Sequence, residues 1–171
     1  PLAYRDTAVP LGNGRAANLP IATGRLLTEA RLQPGDRVLL IGAATGYTAA
    51  VLAGLVGHVV AVESDADLAA RARAALAGVT GVELVEGPLE HGHAAGAPYD
   101  VIVVDGAVEE LPEALVDQVR EGGRIVAGLV DRGVTRLAAG RRTGGGFGLV
   151  GFADIESVVL PGFARRRGFS F

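Results

Sequence analysis

Short apolar runs alternate with helical patterns along most of the chain. An uninterrupted apolar run bounded by turn residues is typical of a strand buried on both faces of a parallel sheet. Five such strands are predicted, over residues 37–42, 58–63, 82–85, 99–104 and 124–129. Between and before them, helices are predicted over residues 21–31, 48–55, 67–77 and 112–120. This alternation favours an α/β fold with a doubly wound, mainly parallel sheet.

The two ends of the chain follow other patterns. Residues 1–20 show no period, which predicts an irregular arm. Four turn-forming residues interrupt this arm: Pro10, Gly12, Gly14 and Pro20. Towards the other end, residues 134–142 and 147–155 flank a glycine-rich stretch, which predicts an antiparallel hairpin. A last short strand is predicted to include Phe169 and Phe171.

Composition supports one folded domain. With 171 residues and 49% hydrophobic residues, the chain can bury a core. We divide this domain into the arm, a nucleotide-binding core over 36–130, and antiparallel strands over 131–171. The net charge of −3 argues against nucleic-acid binding. No apolar run reaches the roughly 18 residues of a membrane helix.

The chain contains no cysteine, so disulfides and thiolate zinc sites are excluded. A reducing, cytoplasmic location is expected by default. The expected assembly is a monomer or a small homo-oligomer. His91 and His93 flank Gly92, but no ligands at a known metal spacing accompany them, so solvated loop histidines are favoured over a metal site.

The first predicted strand ends in the loop Gly42-Ala43-Ala44-Thr45-Gly46-Tyr47. In an open α/β sheet, ligands bind beyond the carboxyl ends of the strands, where the strand order reverses. Gly42 and Gly46 allow tight turns and leave room for a ligand against the backbone. Free N–H groups at the start of the next helix favour an anionic group.

Glu63 ends the second predicted strand. A nucleotide-binding sheet places there the carboxylate that accepts both ribose hydroxyls. Loop and acid together predict an S-adenosylmethionine-type nucleotide site, although the glycines could simply permit a turn and Glu63 could simply face solvent. The dinucleotide fingerprint G-x-G-x-x-G fails, because Ala44 stands between Gly42 and Gly46.

Several segments resemble the protein-L-isoaspartate O-methyltransferases. In the arm, Ala3-Tyr4-Arg5-Asp6 and then Pro10-Leu11-Gly12-Asn13-Gly14 are similar to the A-Y-x-D and P-x-G-x-G segments of that family. This arm is the most specific signal, because generic methyltransferases lack it. Three further segments resemble the family's first motif, its fourth strand and its L-P…L…Q…G-G-R stretch: residues 38–47, 99–104 and 111–124.

The resemblance implies a Rossmann-like methyltransferase fold with a seven-stranded sheet, S-adenosylmethionine as methyl donor, and isoaspartyl carboxylates of damaged proteins as acceptor. The carboxylate is already ionised and the sulfonium already activated, so positioning would supply most of the acceleration. The donor-binding residues are predicted to be Gly42, Ala43, Ala44, Gly46, Tyr47, Glu63, Ser64, Pro88, Leu89 and Asp105. The acceptor side is predicted to include Asn18 and Asp6.

The chain departs from the family pattern at several positions. Leu40 stands where the family has an acid that helps hold the methionine end of the donor, and Ala44 replaces a glycine. Pro88 occupies the place of an acid near the adenine, and Asn18 that of an active-site serine two positions before a proline. The family usually has a helical segment ahead of the arm, so the sequence is either truncated or a reduced variant.

These departures leave three hypotheses open. The chain is an isoaspartyl methyltransferase, a non-catalytic homologue that binds a ligand or partner, or a methyltransferase with a different small carboxylate acceptor. Two aspartates also have open roles. Asp105 either acts on a substrate, binds a divalent ion, or is simply a turn residue. Asp6 either caps or pairs locally, or faces the substrate.

Overall fold

A computed structural model describes residues 6–165 and has a seven-stranded sheet at its centre. The strands are β1 Val9–Gly12, β2 Arg15–Ala17, β3 Arg37–Ile41, β4 His58–Glu63, β5 Val82–Glu86, β6 Tyr99–Val108, β7 Val119–Asp131, β8 Val134–Arg141 and β9 Val150–Ala153. The α-helices are α1 Pro20–Glu29, α2 Tyr47–Ala53, α3 Ala66–Ala75 and α4 Glu113–Val116. The predicted strand around Phe169 and Phe171 lies outside the described residues.

The strand order of the large sheet is β5-β4-β3-β6-β7-β8-β9. The five strands from β5 to β7 are parallel, whereas β8 and β9 are antiparallel to their neighbours. From β3 the chain winds outward to β5 and then crosses back to β6 on the other side of β3. The α/β fold, the mainly parallel seven-stranded sheet and the C-terminal hairpin are thereby confirmed.

Both faces of the central strands are buried, which explains their uninterrupted apolar sequences. Val38 and Leu40 lie in a cluster with residues of α1, α2 and α3, whereas Leu39 and Ile41 lie in a second cluster with Leu115 of α4. All four β3 residues are 0% exposed. None of the helices within residues 6–165 has the length and apolar character needed to cross a bilayer.

The prediction of an irregular arm is wrong for residues 9–17. Strands β1 and β2 form an antiparallel two-stranded sheet. Between them, Asn13 and Gly14 both have positive φ angles, 51° and 71°. A two-residue hairpin turn of the primed type needs positive φ, and Asn-Gly is the dipeptide that most readily supplies it.

The predicted helix over 112–120 is also wrong in its second half. Helix α4 ends at Val116, and β7 already begins at Val119. Val119 pairs with Tyr99 at the start of β6, and the backbone N–H of Tyr99 donates to the carbonyl of Gln118. Pairing in the sheet therefore overrides the local helical pattern.

Candidate functional site

The reversal of strand order between β3 and β6 defines the candidate site. Ile41, the last residue of β3, pairs with Val104 of β6, so the residues that follow them, Gly42 and Asp105, lie side by side. A cavity of about 460 Å³ opens there. Its walls come from the β1–β2 hairpin and α1, from the loop that follows β3 and α2, and from Asp105 and Leu160. This is where an open α/β sheet holds its ligand.

The loop after β3 has the tight geometry expected from its sequence. Gly42 and Gly46 have φ angles of 85° and 92°. Ala44 also takes a positive φ, 49°, which is unusual for a residue with a Cβ. Its backbone N–H donates to Glu63 Oε2 at 2.7 Å, so the loop conformation is tied to the acid. Tyr47, at the start of α2, is 73% exposed and lines the cavity.

Glu63 lies where the sequence places it, at the end of β4, and it is 0% exposed. Two further backbone N–H groups, of Ser64 and Asp65, donate to its Oε1 at 2.8 and 3.0 Å. Arg15 of the β1–β2 hairpin also donates to the Glu63 carboxylate: its Nη1 lies 2.6 Å from Oε1 and its Nη2 lies 3.1 Å from Oε2. Sequence reasoning missed Arg15. The only local signal is a cation directly after the Asn-Gly turn.

The hairpin is fastened to α3 by two further contacts. Asn13 donates to Asp65 Oδ2 at 3.1 Å, and Arg71 donates to the carbonyl of Leu11 at 3.3 Å. Asp65 caps α3 by accepting from the N–H of Leu68 at 2.9 Å. That bond, with the Asn13 amide adding to it, lowers the pKa of the Asp65 carboxyl. The hairpin thus rests on the residues that follow Glu63.

Asp105 lines the cavity and is 8% exposed. The hydroxyl groups of Thr23 and Thr48 donate to its two oxygens, each at 2.6 Å. The two threonines come from α1 and α2, so Asp105 holds both helices against β6. These long-range partners have no signal in the local sequence.

Asn18 joins Asp105 to the C-terminal segment. Its Nδ2 donates to Asp105 Oδ1 at 3.1 Å, while its Oδ1 accepts from Ser157 Oγ and from the N–H of Val158, at 2.9 and 3.1 Å. The C-terminal segment from Ser157 to Leu160 pairs in parallel with Ala107 of β6 and packs Leu160 against Gly42 and Gly106. The structure therefore brings Asn18 and Asp105 together, with the Asn18 amide donating one hydrogen bond and accepting two.

The other predicted site residues occupy more peripheral positions. Asp6 accepts a hydrogen bond from the N–H of Ile21 at 3.1 Å, a local capping contact in the first turn of α1. Ser64 and Pro88 line a shallow groove beside the cavity, whereas the Leu89 side chain is 0% exposed in the core. The remaining arm residues of the family resemblance, Ala3 to Arg5, lie outside the described residues.

A second groove and the pair His91 and His93 are weaker candidates for the functional site. A groove of about 640 Å³ lies between α4 and the turn after β8, but its lining includes four acidic residues and none of the predicted site residues. Within residues 6–165, no group of three His, Cys, Asp or Glu side chains is arranged to hold a metal ion. The backbone of His91 and His93 is instead fastened by Gln118.

These features define the class: an open α/β domain whose glycine loop, at the reversal of strand order, is joined to the buried carboxylate of Glu63. The sequence model of the protein-L-isoaspartate(D-aspartate) O-methyltransferase family matches residues 1–147. A curated protein-L-isoaspartate O-methyltransferase of Methanoculleus marisnigri is 44% identical over 128 residues, which are 74% of this chain and 58% of that protein. The chain belongs to this family.

Solved structures agree with the fold. A protein-L-isoaspartate O-methyltransferase superposes with a TM-score of 0.85 at 26% identity, over 95% of this chain and 55% of that one. A second such protein, from Plasmodium falciparum in complex with S-adenosyl-L-homocysteine, superposes with a TM-score of 0.77 at 21% identity, over 92% and 81% of the two chains. The chain thus spans less than two thirds of the Methanoculleus relative and of the first structure.

Proposed function

We propose that the protein is an S-adenosylmethionine-dependent O-methyltransferase that acts on isoaspartyl carboxylates of damaged proteins. The observation that carries this proposal is the hydrogen bond that ties Glu63 to the loop after β3: Ala44, whose N–H donates to Glu63, lines the cavity. Membership of the family supports the proposal, as does the S-adenosyl-L-homocysteine held by a protein of the same fold.

The residues present fit the donor. Glu63 would accept the ribose hydroxyls, and the backbone from Gly42 to Ala44, which lines the cavity, would lie along the methionine part. The groove at Ser64 and Pro88, with the backbone at Leu89, would lie against the adenine. Asp105 lines the same cavity, where its carboxylate would complement the ammonium group of the donor's methionine part. The donor's sulfonium supplies an activated methyl group.

On the acceptor side, the contribution of the chain is positioning. Asn18 holds the hairpin, Asp105 and the segment at Val158 in one fixed arrangement. Asp6 fixes the start of α1, whose Pro20 and Thr23 line the same cavity. Two ionised and activated reactants need mainly to be held at contact distance, and such orientation supplies a large part of a rate enhancement.

A labelled-methyl assay tests the proposal. Transfer to a peptide with one isoaspartyl residue, and not to the same peptide with aspartate, is the expected result. Because the Asn18 amide already makes three hydrogen bonds within the chain, a non-catalytic binding protein is the second candidate. Binding of S-adenosyl-L-homocysteine without transfer to any acid would identify that role. Transfer to small carboxylic acids alone would identify a changed acceptor.

A further inference from the structure

Arg15 occupies the position that the ribose of the donor needs. Its guanidinium faces the Glu63 carboxylate through two nitrogens, and the two side chains are 8% and 0% exposed. A guanidinium offers two parallel N–H donors to a carboxylate. A vicinal diol offers two O–H donors to the same two oxygens. Arg15 and the ribose diol therefore compete for one acceptor.

Glu63 has no capacity for both groups. Its Oε1 accepts from Ser64 and Asp65 as well as from Arg15, and its Oε2 accepts from Ala44 as well as from Arg15. A carboxylate offers about four lone-pair sites, and these contacts fill them. The backbone donors belong to the loop and to the chain after β4, so they hold Glu63 in place when the guanidinium leaves.

Arg15 is also the only cationic side chain among the described residues that line the cavity, and Asp105 is the only carboxylate. A carboxylate acceptor that enters this cavity approaches the charge of Asp105, which disfavours a second negative charge. A guanidinium released from Glu63 would supply the opposite charge in the same cavity. Its planar fork suits a carboxylate better than any other side chain does.

We propose that Arg15 exchanges partners: it pairs with Glu63 in the free protein, is displaced by the donor's ribose diol, and then holds the acceptor carboxylate. This inference rests on the proposed function and deepens it, because it assigns the recognition of the acceptor's charge to Arg15. No covalent bond changes in the exchange. The donor binds first, since its binding releases the guanidinium that the acceptor needs.

Calorimetric titration with S-adenosyl-L-homocysteine, together with peptide kinetics, tests the exchange in Arg15→Gln and Arg15→Lys. Removing the competitor is expected to tighten S-adenosyl-L-homocysteine binding to Arg15→Gln about tenfold. The KM for the isoaspartyl peptide rises about ten- to a hundredfold, while kcat changes little. Arg15→Lys, which keeps one charged donor, gives intermediate values for both. Arg71→Gln, which removes another hairpin contact, changes neither value.

Each outcome is distinguishable. Unchanged or weaker ligand binding by Arg15→Gln, with clear binding by the unaltered protein, overturns the competition but leaves the proposed function standing. Tighter binding with an unchanged peptide KM overturns the acceptor role. If neither protein binds S-adenosyl-L-homocysteine, the proposed function fails and the exchange fails with it. A larger thermal shift on ligand addition for Arg15→Gln than for the unaltered protein supports the competition without an activity measurement.

Discussion

Asn18 and Asp105, which are 87 positions apart, are joined by a hydrogen bond of 3.1 Å from Nδ2 to Oδ1. The other end of the same amide accepts from the N–H of Val158. One side chain therefore connects the end of the hairpin, the end of β6 and the C-terminal segment that packs Leu160 into the site. This connection is the mechanical basis for the positioning that the proposed function requires.

Replacing Asn18 by Ala should loosen that connection. Three hydrogen bonds are lost and the N–H of Val158 is left without its partner, so we expect a loss of about 2 kcal/mol in the free energy of unfolding. Urea denaturation measures it, and hydrogen exchange at Val158 should accelerate. Gln33→Ala, which removes one exposed hydrogen bond to the carbonyl of Arg31, is the control. Equal losses in the two variants would contradict a connecting role for Asn18.

Replacing Gly42 or Gly24 by alanine should change the free energy of unfolding in opposite directions. Gly42 has a φ of 85°, and a Cβ there would lie 3.2 Å from the Leu160 side chain. Gly42→Ala should lower the free energy of unfolding by about 1–2 kcal/mol through backbone strain. Gly24, within α1, has open space around it, and Gly24→Ala should raise stability by about 0.5–1 kcal/mol. Thermal denaturation of both variants measures the contrast, and a change of the same sign in both would refute it.

The phenol of Tyr99 should ionise at a higher pH than an exposed tyrosine does. Burial raises the pKa of its phenol to about 12 from the ordinary 10.0, and the hydroxyl donates to the carbonyl of His93 at 2.8 Å. The folded state favours the neutral form, so this contribution to stability is complete below pH 10.0 and is lost as the pH rises towards about 12.

Ultraviolet titration of tyrosinate measures this effect. One of the three tyrosines should ionise only near pH 12, and that step should be absent from Tyr99→Phe. The same variant should lose about 1 kcal/mol of stability at neutral pH, because the carbonyl of His93 loses its donor. Ionisation of all three tyrosines near pH 10 in the unaltered protein would show that Tyr99 is not buried as described.

The sequence predicts the central strands well because their signal is local. A strand covered on both faces must be apolar at every position, as Val38 to Ile41 are, and this pattern needs no knowledge of neighbours. The place of Glu63 follows from the same rule, since it is the first charged residue after such a run. The overlooked hairpin also had a local signal, the Asn13–Gly14 dipeptide.

The rest of the site could not be predicted because it depends on contacts between distant parts of the chain. Arg15 and Glu63 are 48 positions apart, and Thr48 reaches Asp105 across 57 positions. No periodicity specifies such pairs. The predicted end of the helix at residue 120 is wrong for a related reason. Val119 continues a helical pattern in the sequence, but it pairs with Tyr99 in the sheet, and this pairing determines its conformation.

Calorimetric titration of the protein and of Glu63→Gln with S-adenosyl-L-homocysteine tests whether Glu63 and the Gly42 loop form the donor site. We expect one site per chain, with binding weakened about tenfold or more in Glu63→Gln, because the charged acceptor for the ribose hydroxyls is lost. Glu83→Gln, an exposed change on β5, should bind as the unaltered protein does. Absence of binding to the unaltered protein, or equal affinity in Glu63→Gln, would contradict the claim that Glu63 and the Gly42 loop form the donor site.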